Sequence, residues 1–191
     1  MLKYIVEKLY PNYYQNKYNV YVFDLDNTIT NKHTGGHYQK GTYKRFITDE
    51  MLFGVKDVFK KIKESNGMIY INSRGIASNV YNFLSDTGLF PFITGVYAAN
   101  YDGKKYSHNG VVTEFKLEHN RWPEIKSIYL NKIVQKEGVS KDNIYYFDDT
   151  KANIYYAKHM GFDNSYIVNS NKFPDTSDKY NLVNILQTLL K

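Results

Sequence analysis

Cysteine is missing from all 191 residues, and that one absence removes several chemistries together. Disulfide-stapled scaffolds, cysteine zinc sites and thiol nucleophiles are excluded, and the composition fits a reducing compartment. Proline is scarce as well, with 4 residues, and no Pro- or Ser-rich linker, repeat or low-complexity tract divides the chain. No stretch approaches the roughly 20 apolar residues that span a bilayer. The segment Met1–Tyr10 lacks the unbroken apolar core and small-residue cleavage site of a secretory signal, so a cytoplasmic location is expected. Arginine is rare, at Arg45, Arg74 and Arg121, and the 25 basic residues are therefore mostly lysine.

What is present is 42% hydrophobic and 23% charged residues, the balance of a globular protein. A chain of this size buries roughly 70% of its unfolded surface, enough for a core and a pocket without cross-links, and one domain over residues 1–191 is expected. The net charge of +6 favours anionic partners, among which phosphorylated protein, nucleic acid and an acidic membrane surface all qualify.

Hydrophobic periodicity alternates between two kinds of segment. Val20–Asp24, Met68–Asn72, residues 92–98, Ile144–Asp148 and residues 165–168 read as strands. Between them, Val55, Val58, Phe59 and Ile62 recur at helical spacing within 54–64, and residues 76–87 and 151–160 read as further helices. Pro123 suits the first turn of a helix running to Glu137 and closed by Gly138. A last helix is expected from about 178, and Leu2, Ile5, Val6 and Leu9 favour a packed helix in the first segment over a docking one. Asn100–Asn120, polar with two glycines, reads as a long loop or hairpin. Strands alternating with helices predict a three-layer α/β/α sandwich around a mostly parallel, Rossmann-like sheet.

Sheets of that kind bind ligands beyond the carboxyl ends of their strands. Those ends carry Asp24 and Asp26, then Ser73, then Asp148 and Asp149. Four acids gathered at one sheet edge repel each other strongly, and a hard divalent cation held through oxygen is the simplest neutraliser. Mg²⁺ is the best candidate, since it takes one or two carboxylates together with substrate phosphate oxygens. Any single piece has an ordinary explanation: acids turn chains and favour helix N-termini, and most helical lysines are solvated.

The ordered combination resembles the haloacid dehalogenase superfamily of phosphohydrolases. Asp24, Asp26 and Thr28 match its first motif, Asp-x-Asp-x-Thr after a hydrophobic strand, and Ile69–Ser73 matches the second. Asp148–Asp149 matches the fourth, and Thr150–Gly161 is similar to the helix that follows it. Lys126 has suitable spacing for the motif lysine, with Lys132 and Lys116 as alternatives. The resemblance implies that Asp24 attacks phosphorus to form an aspartyl-phosphate, and that Asp26 serves as general acid and then base. It also implies that Asp24, the backbone carbonyl of Asp26, Asp148 and Asp149 surround Mg²⁺, and that Thr28, Ser73 and the lysine hold phosphoryl oxygens. An acid at position 26 points to hydrolysis or transfer of a phosphate ester.

Enzymes resembling this chain often insert a cap domain after the first or second motif. About fifty residues separate Asp24 from Ser73, which leaves room for a flap near 29–50 and, later, a hairpin near 100–122, but for no separate closing domain. The flap carries His33, Gly35, Gly36 and His37 directly after the catalytic loop, where they could touch substrate. An open cleft suits a phosphorylated macromolecule, a phosphotyrosine or phosphoserine protein first, a polynucleotide end or a small metabolite otherwise. The reading of a different class is a non-catalytic phosphate-binding protein on the same fold.

Overall fold

Val20–Phe23, the first strand β1, is buried at all four residues, with Val20 and Val22 toward one layer and Tyr21 and Phe23 toward the other. A strand apolar on both faces belongs in the middle of a parallel sheet, and β1 lies there. The computed structural model describes residues 18–35, 37–99, 107–108, 111–112, 122–170 and 181–190. The expected helix within 1–19, Gly36 and Lys116 lie outside the described residues.

After β1 come α1 (Asp49–Glu64), β2 (Met68–Ile76), α2 (Ala77–Asp86), β3 (Gly95–Ala99), β4 (Ser107–His108), β5 (Val111–Val112), α3 (Trp122–Glu137), β6 (Ile144–Asp148), α4 (Lys151–His159), β7 (Ser165–Ile167) and α5 (Leu182–Leu189). The main sheet has five strands in the order β3-β2-β1-β6-β7, all parallel. Helices α1, α2 and α5 cover the face of Tyr21 and Phe23, while α3 and α4 cover that of Val20 and Val22. The three-layer sandwich expected from the sequence is therefore observed. Strands β4 and β5 pair antiparallel within the segment read as a hairpin.

Strand β2 runs on to Ile76 rather than ending at Asn72, β3 starts at Gly95 rather than 92, and two helix starts also differ from expectation, both set by caps. Helix α1 starts at Asp49 rather than near 54 because the Thr48 side chain accepts from Met51 N, an N-cap that precedes the hydrophobic stripe. Helix α5 starts at Leu182 rather than near 178, where the Asn181 side chain accepts from Val183 N. Six buried side chains of α1, from Met51 to Ile62, each contribute roughly 1.5–3 kcal/mol of burial and fix that helix against the sheet. Among the described residues, no helix is long and apolar enough to cross a membrane.

Strand order reverses direction at β1, with β2 and β3 on one side and β6 and β7 on the other. A crevice opens beyond the carboxyl ends of strands at such a point. Register decides what faces it: Phe23 pairs with both Ile71 and Phe147, so the next residues, Asp24 and Asp148, emerge side by side.

Candidate active site

Asp24 leaves the sheet with its N–H donating to the Phe147 carbonyl at 2.9 Å, and the residue is 6% exposed. The chain then turns sharply through Leu25–Ile29, closed by Thr30 N donating to the Leu25 carbonyl. Asn27 makes the turn at φ 57°, a left-handed conformation that Asn tolerates better than most residues. From there its amide donates to Asp149 Oδ2 at 3.0 Å.

A second motif arrives through an irregularity. Pairing between β2 and β3 shifts register between Asn72 and Ile76, so Ser73, Arg74 and Gly75 stand out of the ladder at the crevice, as residues at a bulge do. The Ser73 hydroxyl accepts from Gly75 N at 3.0 Å, which leaves its proton for another acceptor.

Lys126 reaches the site from the first turns of α3, held there by Asn72, whose amide donates to the Lys126 carbonyl at 3.0 Å. Its ammonium is 3% exposed and lies 2.6 Å from Asp24 Oδ1 and 2.7 Å from Asp148 Oδ2. Asp148 is fully buried and accepts in addition from the Tyr146 hydroxyl, Thr150 N and the Asn153 amide. The two acids that share Lys126 consequently differ. Burial would raise Asp148, but Lys126, Tyr146 and Asn153 hold it below the ordinary carboxylate range. Burial pushes Asp24 up to about 7, with Asp148 and Asp149 adding to the push and Lys126 opposing it. Burial also works against the Lys126 charge, yet the two carboxylates outweigh it and raise its pKa.

Asp24, Asp148 and Asp149 bring one carboxylate oxygen each within 4.8 Å of one another. An all-oxygen set carrying more negative charge than one lysine balances fits a hard divalent cation such as Mg²⁺. The Asp26 carboxylate is outside that trio: Thr34 N donates to its Oδ1 at 3.0 Å and Thr34 Oγ1 to its Oδ2 at 3.1 Å.

A cavity of about 300 Å³ lies over these groups, floored by Asp24, Asp26, Ser73 and Asp149 and rimmed by His33, Gly35, Arg74, Gly75 and Thr150. Asp24, Asp26, Ser73 and Asp149 thus meet as the sequence placed them, and His33 and Gly35 stand at the mouth. Lys126 lies beneath Asp24 rather than on the cavity wall. His37 is exposed and lies apart from the lining. Lys132 sits over the Tyr129 ring, 5.1 Å from its centroid, far from the role of motif lysine. Thr28 does not line the cavity: it is fully buried, its hydroxyl lacks a partner among the described residues, and its carbonyl accepts from Ser170. The Asn27 turn is the reason, since it rotates the next side chain inward.

Sequence reasoning missed Thr34, Arg74, Tyr146 and Asn153. Arg74 was legible from its place beside Ser73, and Asn153 from lying one helical turn beyond Asp149. Thr34 sits in a loop with no periodicity to read.

No protein-family profile matches the sequence, and no curated protein does. Solved structures do match. A substrate-bound phosphoserine phosphatase aligns at TM-score 0.56 and 14% identity, over 91% of this chain and 99% of that one. A phospho-aspartyl intermediate analogue of phosphoserine phosphatase aligns at TM-score 0.52 and 14% identity, over 80% and 87%. The N-terminal part of a Bacteroides fragilis protein, containing a phosphatase domain complexed with Mg, aligns at TM-score 0.55 and 14% identity, over 82% of this chain and 38% of that one. In fold, the chain is similar to these phosphatases.

Proposed function

We propose that this chain is a Mg²⁺-dependent phosphomonoester hydrolase working through an aspartyl-phosphate on Asp24. The observation that carries the reading is the pair Asp24 and Asp26 on one cavity floor, with Lys126 and Asp148 packed behind the first and Thr34 behind the second. With Oδ1 engaged by Lys126, the other Asp24 oxygen attacks phosphorus and the bond to the leaving oxygen breaks. Asp26 gives that oxygen its proton, then takes one from the water that cleaves the aspartyl-phosphate, which frees phosphate and restores Asp24. Ser73 donates to a phosphoryl oxygen. Mg²⁺, held by Asp24, Asp148 and Asp149, would supply positive charge opposite the oxygens on which negative charge builds.

The substrate on this reading is a phosphate carried on a macromolecule, a phosphotyrosine or phosphoserine protein first, handled by a single-domain enzyme of the cytoplasm. The rim supports it: His33 and Gly35 come from the flap, Thr150 from the turn after β6, and Arg74 and Gly75 from the irregular stretch of β2, with no residue of a separate closing domain in the lining among the described residues. A polynucleotide end is the second reading, favoured by charge: from Asn27 to Thr48 there is no acid, but there are Lys32, Lys40, Lys44 and Arg45.

The test is phosphate release from phosphotyrosine peptide, phosphoserine peptide and phosphorylated oligonucleotide, with Mg²⁺ or with chelator, for wild type beside Asp24→Asn. Release that needs Mg²⁺ and falls to background in the variant is expected. Equal release from both proteins removes Asp24 as nucleophile, and the preferred ester decides between the two macromolecules.

A further inference from the structure

Of the groups at the cavity, Asp26 is held in the least usual way. Its nearest partners come from the flap, eight residues on, and one flap residue supplies two donors. Thr34 is 9% exposed, its N–H donates to Oδ1 and its hydroxyl to Oδ2. Two donors on the two oxygens of one carboxylate define the plane of that carboxylate, which a single bond does not. The neighbouring imidazole does not share the task. His33 Nδ1 lies 3.4 Å from Asp26 Oδ2 but accepts from Gly35 N at 2.8 Å, and a ring nitrogen that accepts carries no proton to give the carboxylate.

Thr34 is itself fixed by the flap. Asn31 N donates to the Phe46 carbonyl at 2.8 Å and joins the two ends of the loop, while His37 N donates to the Thr34 carbonyl at 3.2 Å. The loop is further tied to the end of α2, where Asp86 accepts from the Tyr38 hydroxyl at 2.7 Å and from Gly41 N. Asp26, by contrast, follows only one residue after the turn begins, and nothing in β1 sets the rotation of its side chain. The orientation comes from the flap.

We propose that Thr34 is a positioning residue for proton transfer: by bonding both oxygens of Asp26 it aims that carboxyl at the leaving oxygen of the ester. The proposal rests on the phosphomonoesterase reading and deepens it, because it moves control of leaving-group protonation from the catalytic loop to the flap. Proton delivery tolerates little misplacement, and about 1 Å can cost on the order of 10²-fold. The effect is confined to bond-breaking steps that need the proton. A nitrophenolate departs as a stable anion, whereas an unsubstituted phenolate is more basic and departs better as the phenol.

The experiment compares phenyl phosphate with para-nitrophenyl phosphate, two esters of nearly the same shape and unequal need for a proton. The full-length protein with Mg²⁺ is assayed as wild type, Thr34→Val, Thr34→Ser and Asp26→Asn. The readout is kcat/KM, which covers the steps up to departure of the leaving group. Thr34→Val should lose about tenfold more on phenyl phosphate than on the para-nitro ester, a smaller version of the bias that Asp26→Asn should show at roughly 10²-fold. Thr34→Ser, which keeps both donors, should return the wild-type ratio. Equal losses on both esters, or a serine variant as biased as the valine one, would assign Thr34 to structure alone and overturn the proposal. Wild-type protein that cleaves neither ester overturns the hydrolase reading and this assignment with it.

Discussion

At the scale of single residues, the buried cluster of Asp24, Lys126 and Asp148 is an unequal sharing of one positive charge. Asp148 has three further donors and keeps its charge, whereas burial lifts Asp24 to about 7 against the opposing pull of Lys126. The consequence for stability has a definite sign. Between about pH 4 and about pH 7 the folded protein without metal holds a proton on Asp24 that the unfolded chain has released. Stability from this group therefore falls as pH rises through that window, by an amount on the order of 4 kcal/mol. The contribution is read as the difference in unfolding free energy between wild type and Asp24→Asn in chelator, followed from pH 4.5 to 8 in steps of roughly one unit. Wild type should lose ground to the variant as pH rises, and added Mg²⁺, which favours the charged carboxylate, should reverse the trend. A flat difference would mean that Asp24 is ionised throughout.

At the scale of elements, the flap is a loop that behaves as part of the scaffold because α2 grips it. Asp86 ends that helix, and burial would raise its carboxyl, but Gly41 N–H, the Tyr38 hydroxyl and Lys40 outweigh burial and bring it below its ordinary value. A depressed acid stabilises above the ordinary carboxylate range and ceases to do so as pH falls through its lowered value. Flap anchoring should therefore hold at neutral pH and fail only in acid. Asp86→Ala should cost at most about 1 kcal/mol of global stability, since the group lies near the surface. It should raise hydrogen exchange at the amides of residues 38–41 at neutral pH, where wild type stays protected. Unchanged exchange would show that the Phe46 end alone holds the loop. None of this was legible beforehand. The pattern 27–48 has no helical or strand period, and a contact between Tyr38 and Asp86 spans 48 residues. Helix α1 was legible in its stripe and misjudged at its start, because Thr48 caps it about two turns before Val55, the first of the apolar residues read as the stripe.

At the scale of the molecule, most of the candidate site was legible, for a reason particular to parallel sheets. Val20–Phe23, Ile69–Ile71 and Ile144–Phe147 are apolar runs followed within two residues by Asp24, Ser73 and Asp148, so the polar residue that comes after such a run marks its own place at the crevice. Lys126 was one of three lysines that the family resemblance offered, preferred for its spacing, and Thr28 was misplaced because the turn at Asn27 is a backbone conformation that residue types barely signal. Of the groups that orient rather than react, Asn153 could be placed by helical spacing, whereas Thr34 lies in a loop without a period and Tyr146 reads as one more apolar residue of its strand. Folding draws the site from four separate stretches of chain, yet it supplies its own cation: the Lys126 ammonium lies between two of the three carboxylates that would face the metal. Chelator should accordingly abolish turnover while leaving the far-ultraviolet circular dichroism spectrum and cooperative unfolding in place, in contrast to small zinc domains that unfold without metal. Loss of structure on chelation would show that Lys126 does not suffice. On the proposed function, lysine would act as a resident placeholder, so that the chain folds first and loads its ion afterwards. A chain made when magnesium is short would wait as a finished, inactive protein and become competent as soon as the ion arrives.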